Sequence, residues 1–314
     1  MEEIMRKTIK ELFGVDLAAQ ITVNDVPEVP ERVPGIDAGQ IFIKEMVAMA
    51  SIWYLYDQRS GLYLYGPTGS GKSSFSRQFM ARLNRSVYEF HSTPQSEPAE
   101  FKGGFHLKGG NTVWVDGPLT AAARAGAVLL VDELDTLNPG CAMVLKSVLD
   151  GGSIALPELG EYVVPKKGFR VVATGNTAGN GDAWGRYASV RRQNIALMDC
   201  FAKIEVGYMP EGLETGLLGK MFPKLPATII KGFVDLANDV RKLFIGAEDA
   251  PPSIDVTLST RDMVRTMGYF AILMKRQKSL PENVMDALAI SLPFGENAAL
   301  KVAITGILQR RGFT

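Results

Sequence analysis

Gly66, Pro67, Thr68, Gly69, Ser70, Gly71, Lys72 and Ser73 fill the spacing G-x4-G-K-[ST], with Ser74 next in the chain. Each residue type in that run suits an anion. Glycines let the main chain turn its N–H groups inward and approach phosphate oxygens closely. An ammonium at Lys72 can reach the outer phosphates, and a hydroxyl at Ser73 can ligate a magnesium ion. The chemistry expected is the grip of a nucleotide's triphosphate tail. The context required is a strand before the loop and a helix opening at its end. Leu62–Tyr65 and Lys72–Leu83 have those patterns.

A second set of groups stands at the end of an apolar run. Val128-Leu129-Leu130-Val131 leads into Asp132 and Glu133. Asp132 is suited to hold the magnesium, directly or through water, and Glu133 to polarise an attacking water as a base. Asp135, a little further on, is read as structural. Phe169-Arg170-Val171-Val172-Ala173-Thr174-Gly175-Asn176 is another apolar strand with a polar end. There the Asn176 amide could orient the water.

These groups must come from one sheet. Apolar runs at Leu62–Tyr65, Val87–Phe90, Val128–Val131, Phe169–Ala173 and Phe201–Val206 read as strands covered on both faces. Helical patterns fill the gaps at Lys72–Leu83, Pro118–Ala125, Pro139–Leu149 and Ser189–Met198. Alternation of the two predicts an α/β class with a parallel, doubly wound sheet. In such sheets ligands bind beyond the carboxyl ends of the strands, where the polar ends fall. Upstream, residues 25–35 hold three prolines and read as a linker, so 1–35 is expected to be an N-terminal segment and linker. Ile36–Gln58 has helical periodicity. The nucleotide-binding domain is expected over 36–210. Residues 211–314 show amphipathic helices and no convincing strand, and are expected to form a separate helical domain.

Residues 61–206 resemble the MoxR-like branch of AAA+ ATPases, particularly the cobaltochelatase ATPase subunit. The likeness rests on the phosphate loop and on Gly117-Pro118-Leu119 before the acidic strand. It continues through Phe169–Thr177, which looks like a sensor-1 strand, and through Gly181-Asp182, Gly185, Tyr187 and Met198-Asp199. The resemblance implies an AAA+ P-loop fold with a five-stranded parallel sheet and a C-terminal helical lid. It implies ATP and Mg2+ as cofactors, ATP hydrolysis, and a homo-oligomer, a hexameric ring with ATP sites between subunits. Ser259-Thr260-Arg261 resembles the start of the lid helix, which would make Arg261 a nucleotide contact. Relatives often act with a protein bearing a von Willebrand factor A domain. The client is then a protein, or the work drives metal insertion into a macrocycle. Paired glycines at 103–104 and 109–110 mark 101–116 as an inserted hairpin, and 151–167 reads as a second. In similar proteins such hairpins face the pore or a partner, so Phe105, His106 and Lys108 are candidates for substrate contact. One departure stands out. The family usually has an arginine right after the aspartate aligned with Asp199, able to reach a neighbour's γ-phosphate, and here that residue is Cys200. A thiol offers neither permanent charge nor a forked donor. Arg191 and Arg192, on the helix expected just before, are the nearest replacements, with Arg186 third.

Composition sets bounds on the alternatives. Lys and Arg total 34, as do Asp and Glu, so a nucleic-acid motor or the ATPase of a restriction-like nuclease lacks the expected basic excess. A small-molecule phosphotransferase is a third reading, disfavoured by Asn176, the helical tail and Arg261. Two cysteines, Cys141 and Cys200, are too few for a disulfide framework and fit a reducing cytoplasm. The start lacks a signal-peptide layout, and the most apolar early run, Met46–Tyr56, is too short to cross a bilayer, so a soluble cytoplasmic protein is expected. His91 and His106 have no partner at metal-ligand spacing, and no further metal is expected.

Overall fold

A computed structural model describes residues 5–56, 60–182, 185–246, 253–276, 278–292 and 298–310. The chain divides into two compact units, the first ending at Val206 and the second starting at Gly207, with loop residues Thr68–Ser70 grouped with the second.

The first unit is built on a five-stranded parallel sheet. Across it the strands run Phe201–Glu205, Gly61–Tyr65, Arg170–Gly175, Val128–Asp132 and Val87–His91. The three central strands are nearly continuous apolar runs because both faces are covered, whereas the edge strands Phe201–Glu205 and Val87–His91 expose Lys203, Glu205 and His91. Leu62, Leu64, Leu130 and Val172 face one core with Phe75 and Phe79. Tyr63, Leu129, Val131, Val171 and Ala173 face the other, with Phe101, Leu119 and Leu145. Register decides function here. Tyr65 pairs with Gly175, Val131 with Ala173, and His91 with Asp132. The strand ends are therefore level, and the phosphate loop, the acidic pair and Asn176 leave the sheet along one edge.

The segment read as a tail and linker is built into this unit. Met5–Thr8 and Gln20–Val23 pair antiparallel around a short helix, Ile9–Phe13. Ile9, Phe13, Ile21 and Val23 are buried in the first core, with the Phe13 ring 4.9 Å from that of Phe79. Downstream, Glu28 pairs with the buried Arg85 at 2.5 Å, and Val29 exchanges two 2.8 Å hydrogen bonds with Ser86. The prolines produce one 3-10 turn, Pro30–Arg32, within a stretch strapped to the core. The helical pattern of 36–58 forms a helix only over Lys44–Leu55, and its last residues, 57–58, lie outside the described residues.

The helix expected over Ser189–Met198 is a second correction. Only Ile195–Met198 is helical, started by Asn194, whose side chain accepts from the Ala196 amide. Residues 190–193 are not helical because other backbone holds them. The Arg191 and Gln193 amides donate to the carbonyls of Asp135 and Gly179, at 2.8 and 2.9 Å.

Two hairpins interrupt the α/β alternation. Gly103–Lys108 pairs with Asn111–Asp116. Its turn residues Gly109 and Gly110 have φ of 58° and 81°, the left-handed pair that a tight hairpin needs. Ile154–Leu156 pairs with Glu161–Val163. Arg124, on the helix Pro118–Ala125, ties them together, reaching Asp116 at 2.9 Å and gripping Glu161 with two hydrogen bonds of 2.7 and 2.8 Å.

The described residues of the second unit form helices Glu211–Met221, Ala227–Ile245, Thr260–Leu273, Leu280–Ser291 and Ala298–Arg310. Its core centres on Phe233 and Phe270, fully buried with centroids 5.0 Å apart. The same unit holds a buried ion pair in which Arg241 grips Glu214 through two 2.7 Å hydrogen bonds. No described helix is long and apolar enough to cross a membrane.

Candidate functional site

The phosphate loop leaves the sheet at Tyr65. The Gly66 amide donates to the Gly175 carbonyl at 3.2 Å, and a Cβ on Gly66 would sit 2.1 Å from the Val206 carbonyl oxygen, so only glycine fits. Gly71, at φ 90°, opens the helix Lys72–Arg82. That helix start has no side-chain cap and no acidic residue in its first turn, the condition in which its amides and dipole favour an anion. The buried Lys72 donates to the carbonyls of Gly66 and Pro67, both at 2.8 Å, and to Asn176 Oδ1 at 3.3 Å. The loop lysine and the polar end of the Arg170–Gly175 strand therefore share one point.

Ser73 and Asp132 also meet. Ser73 Oγ donates to Asp132 Oδ1 at 2.6 Å, and Thr174 Oγ1 donates to the same oxygen. The other carboxylate oxygen faces His91 Nδ1 at 3.7 Å and Arg77 at 3.9 Å, while Arg77 holds Glu89 through two 2.7 Å bonds. A hydroxyl and a carboxylate converging beside a phosphate loop are the hard oxygen donors that suit Mg2+, which takes few protein ligands and keeps phosphate and water for the rest. The residues present therefore fit a magnesium nucleotide.

Glu133 sits just past the strand with φ 59° and ψ 45°, a left-handed conformation that non-glycine residues seldom adopt. Its amide donates to Thr174 Oγ1 at 3.2 Å, so one threonine hydroxyl pins both members of the acidic pair. Burial, then the carboxylates of Asp132 and Asp135, push the Glu133 carboxyl above its ordinary value, while His91 and Lys72 pull it down. A carboxylate made more basic in this way is a better proton acceptor. Asp135 is buried, and its Oδ2 accepts from the amides of Asn176 and Thr177 at 2.6 and 3.0 Å. It fixes the end of the strand that presents Asn176. Burial raises its carboxyl, and those amides work the other way.

Thr174, Arg77, Glu89 and His91 gain their positions from register and were not singled out as site residues from sequence. For Thr174 the sequence showed only a place near a strand end; the pairing of Ala173 with Val131 is what sets it beside Asp132.

Arg191 and Arg192 are exposed and border a groove of about 440 Å3 with Lys146, Met143 and Ile195. Arg192 bridges to Asn180. Arg186 is 4.0 Å from Asp182. Cys200 donates to Asp150 Oδ1 at 3.3 Å and to the Ala196 carbonyl at 3.2 Å, and burial, with Asp150, pushes its thiol up to about 11. Arg261 is exposed, the second residue of the helix Thr260–Leu273, whose start is fixed by reciprocal bonds between Ser259 and Asp262.

A parallel sheet with a phosphate loop, an acidic strand end and an asparagine-tipped strand level at one edge defines a P-loop nucleotide-binding protein. Residues 61–193 match the family model described as AAA domain (dynein-related subfamily). Over 114 residues the chain is 39% identical to Protein NorQ of Paracoccus denitrificans, covering 36% of this chain and 42% of that protein. It is 26% identical over 232 residues to the aerobic cobaltochelatase subunit CobS of a Sinorhizobium species, covering 72% and 66%. With Protein CbbQ of Hydrogenophilus thermoluteolus it shares 32% over 145 residues, covering 46% and 54%. The matches thus span less than two thirds of each relative's length. Residues 61–193 are thus similar to that AAA domain family, and the chain is similar to NorQ, CobS and CbbQ.

Proposed function

We propose that this chain binds ATP with Mg2+ between residues 66 and 74 and hydrolyses it as a subunit of a homo-oligomeric, hexameric ring. The observation that carries the reading is the convergence of Lys72 with Asn176 and of Ser73 with Asp132 at one sheet edge. When bound, the magnesium ion supplies neutralisation of phosphate charge. Gly66–Gly71 amides and the helix start hold the phosphates, and Lys72 adds a compact positive charge to them. Ser73 and Asp132 hold the metal. Glu133 takes a proton from the attacking water, which the Asn176 amide orients. Arg191 and Arg192 act on the site of a neighbouring subunit in place of an arginine at position 200. Arg261 contacts the nucleotide from the lid, taken as 211–314, with 36–210 as the nucleotide-binding domain.

Turnover drives remodelling of a protein client, met by Phe105, His106 and Lys108, together with a partner bearing a von Willebrand factor A domain. The cysteines are free thiols, as a reducing cytoplasm would keep them. A second reading, metal insertion into a macrocycle, is favoured by the likeness to a cobaltochelatase subunit over 72% of this chain. Balanced charge weighs against nucleic acid as the client.

The test is titration calorimetry and phosphate release on the parent, Lys72→Ala and Glu133→Gln. The expected pattern is heat with ATP and Mg2+ in the parent and in Glu133→Gln, none in Lys72→Ala, and phosphate release only in the parent. Glu133→Gln should also trap the ring with its client. Parent-like turnover in Lys72→Ala would overturn the proposal.

A further inference from the structure

Residues 190–193 form a strap laid across the two loops that flank the reacting groups. The Arg191 amide donates to the Asp135 carbonyl, in the turn that follows Glu133. The Gln193 amide donates to Gly179, in the loop that follows Asn176. Gln193 is buried at 6% exposure although most of its side chain is polar. Its carboxamide nitrogen donates to the carbonyls of Asp135 at 3.2 Å and Leu137 at 3.3 Å. A buried amide aimed at two main-chain carbonyls is a latch, since removing it leaves both acceptors without that donor. The strap's other side chains, Arg191 and Arg192, are exposed.

We propose that Gln193 is a positioning residue that locks the arginine-bearing strap to the Glu133 turn, so that the state of one subunit's own site sets where its arginines stand. This rests on the reading that Arg191 and Arg192 serve a neighbour. Asp135 is the shared part. Its carboxylate fixes Asn176 and Thr177, and its carbonyl takes both Arg191 and Gln193. A shift at the strand end beside the phosphates is thereby passed to the strap through bonds to a single residue. In a ring this makes hydrolysis in one subunit depend on nucleotide in the next.

The test uses the full chain and ATP with Mg2+. Gln193→Met keeps the side chain's length and removes the donor. Gln193→Glu places an acceptor against two carbonyls. Both should bind ATP within about twofold of the parent. Their kcat should fall about tenfold, as expected for one or two lost hydrogen bonds to a positioned group. KM should be unchanged and the Hill coefficient should drop towards one, with Glu worse than Met. In the parent, ATP with Mg2+ should change amide exchange at 190–193, and in Gln193→Met it should not. Parent kcat and Hill coefficient in both variants, or no exchange response in the parent, would overturn the latch. An Arg191→Ala/Arg192→Ala double variant with parent turnover would instead remove the trans reading. An inactive double variant beside fully active Gln193 variants would leave that reading standing and remove the latch alone.

Discussion

Thr174→Val tests the site at the point where its acidic pair is pinned. Thr174 is 1% exposed, and valine has its shape without the hydroxyl. Two bonds go at once: the donor to Asp132 Oδ1 and the acceptor for the Glu133 amide. A bond to a charged group contributes about 1.5–3 kcal/mol, and a stranded amide costs about 1–3 kcal/mol. The new methyl returns about 1 kcal/mol in an apolar strand. The net is a loss of about 2 kcal/mol near the low ends of those ranges, or about 4–8 °C in melting temperature for a unit of this size. The kinetic effect should be larger. Glu133 occupies a left-handed backbone conformation, and without the Thr174 acceptor that conformation loses a support. A displacement of about 1 Å can cost about 100-fold in kcat. The loop contacts of Lys72 are untouched, so ATP affinity should stay near the parent value. Thermal melting, ATP titration and steady-state phosphate release on one preparation separate these effects. A variant destabilised as stated but with parent kcat would refute the link from this pin to the chemistry. One that melts with the parent would refute the pin itself.

Three further outcomes follow from the geometry. Gly66→Ala should abolish ATP binding and lower the melting temperature, because its Cβ would lie 2.1 Å from the Val206 carbonyl oxygen, a contact backbone cannot yield; calorimetry and melting check both. Glu133 has a raised carboxyl value when folded, so it favours folding below its ordinary range, near 4.5, and that contribution is lost as pH rises through the folded value. Glu133→Gln should therefore melt above the parent at neutral pH, with the gap closing as pH falls to that range, and an equal gap at all pH values would contradict the shift. Arg241→Met leaves Glu214 as an uncompensated charge in the core of the helical unit and should cost about 3–5 kcal/mol. Adding Glu214→Leu should recover most of that, read by urea unfolding of the single and double variants.

Much of the sheet and its motif-bearing ends was legible because two physical patterns coincide there. Runs such as Val128–Val131 must be apolar when both faces are covered, and their polar termini must fall where ligands bind. What escaped the sequence depends on pairing at long range. The Met5–Val23 segment has elements of four or five residues, too short for periodicity to show, and is held by Phe13 stacking on a ring 66 residues downstream by number, Phe79. Residues 189–193 looked helical in local propensity, and tertiary hydrogen bonds to Asp135 and Gly179 overrode it. Thr174 was visible as a strand residue, but its role needed the register that sets it beside Asp132.

Those long-range bonds also connect features that the sequence presents as separate motifs. Lys72 donates to the Asn176 side chain, the Asn176 amide donates to the Asp135 carboxylate, and the Asp135 carbonyl receives Arg191 and Gln193. Apart from the half-buried Asn176 side chain, every group in these bonds is main chain or a buried side chain, so the path has little slack. It also gives a physical reason for an acid at position 135. A carboxylate is costly to bury, and burial does raise this one, yet two amides converge on a single oxygen in a way that a neutral side chain of the same size could not match. Asp135→Asn would place an N–H donor or a weaker acceptor before those amides. It should therefore loosen Asn176 and the strap together, lowering turnover and cooperativity in step, whereas Gln193→Met should spare Asn176. Amide exchange at 176–177 distinguishes the two: faster in Asp135→Asn, unchanged in Gln193→Met. Equal exchange in both would show that the path does not run through Asp135.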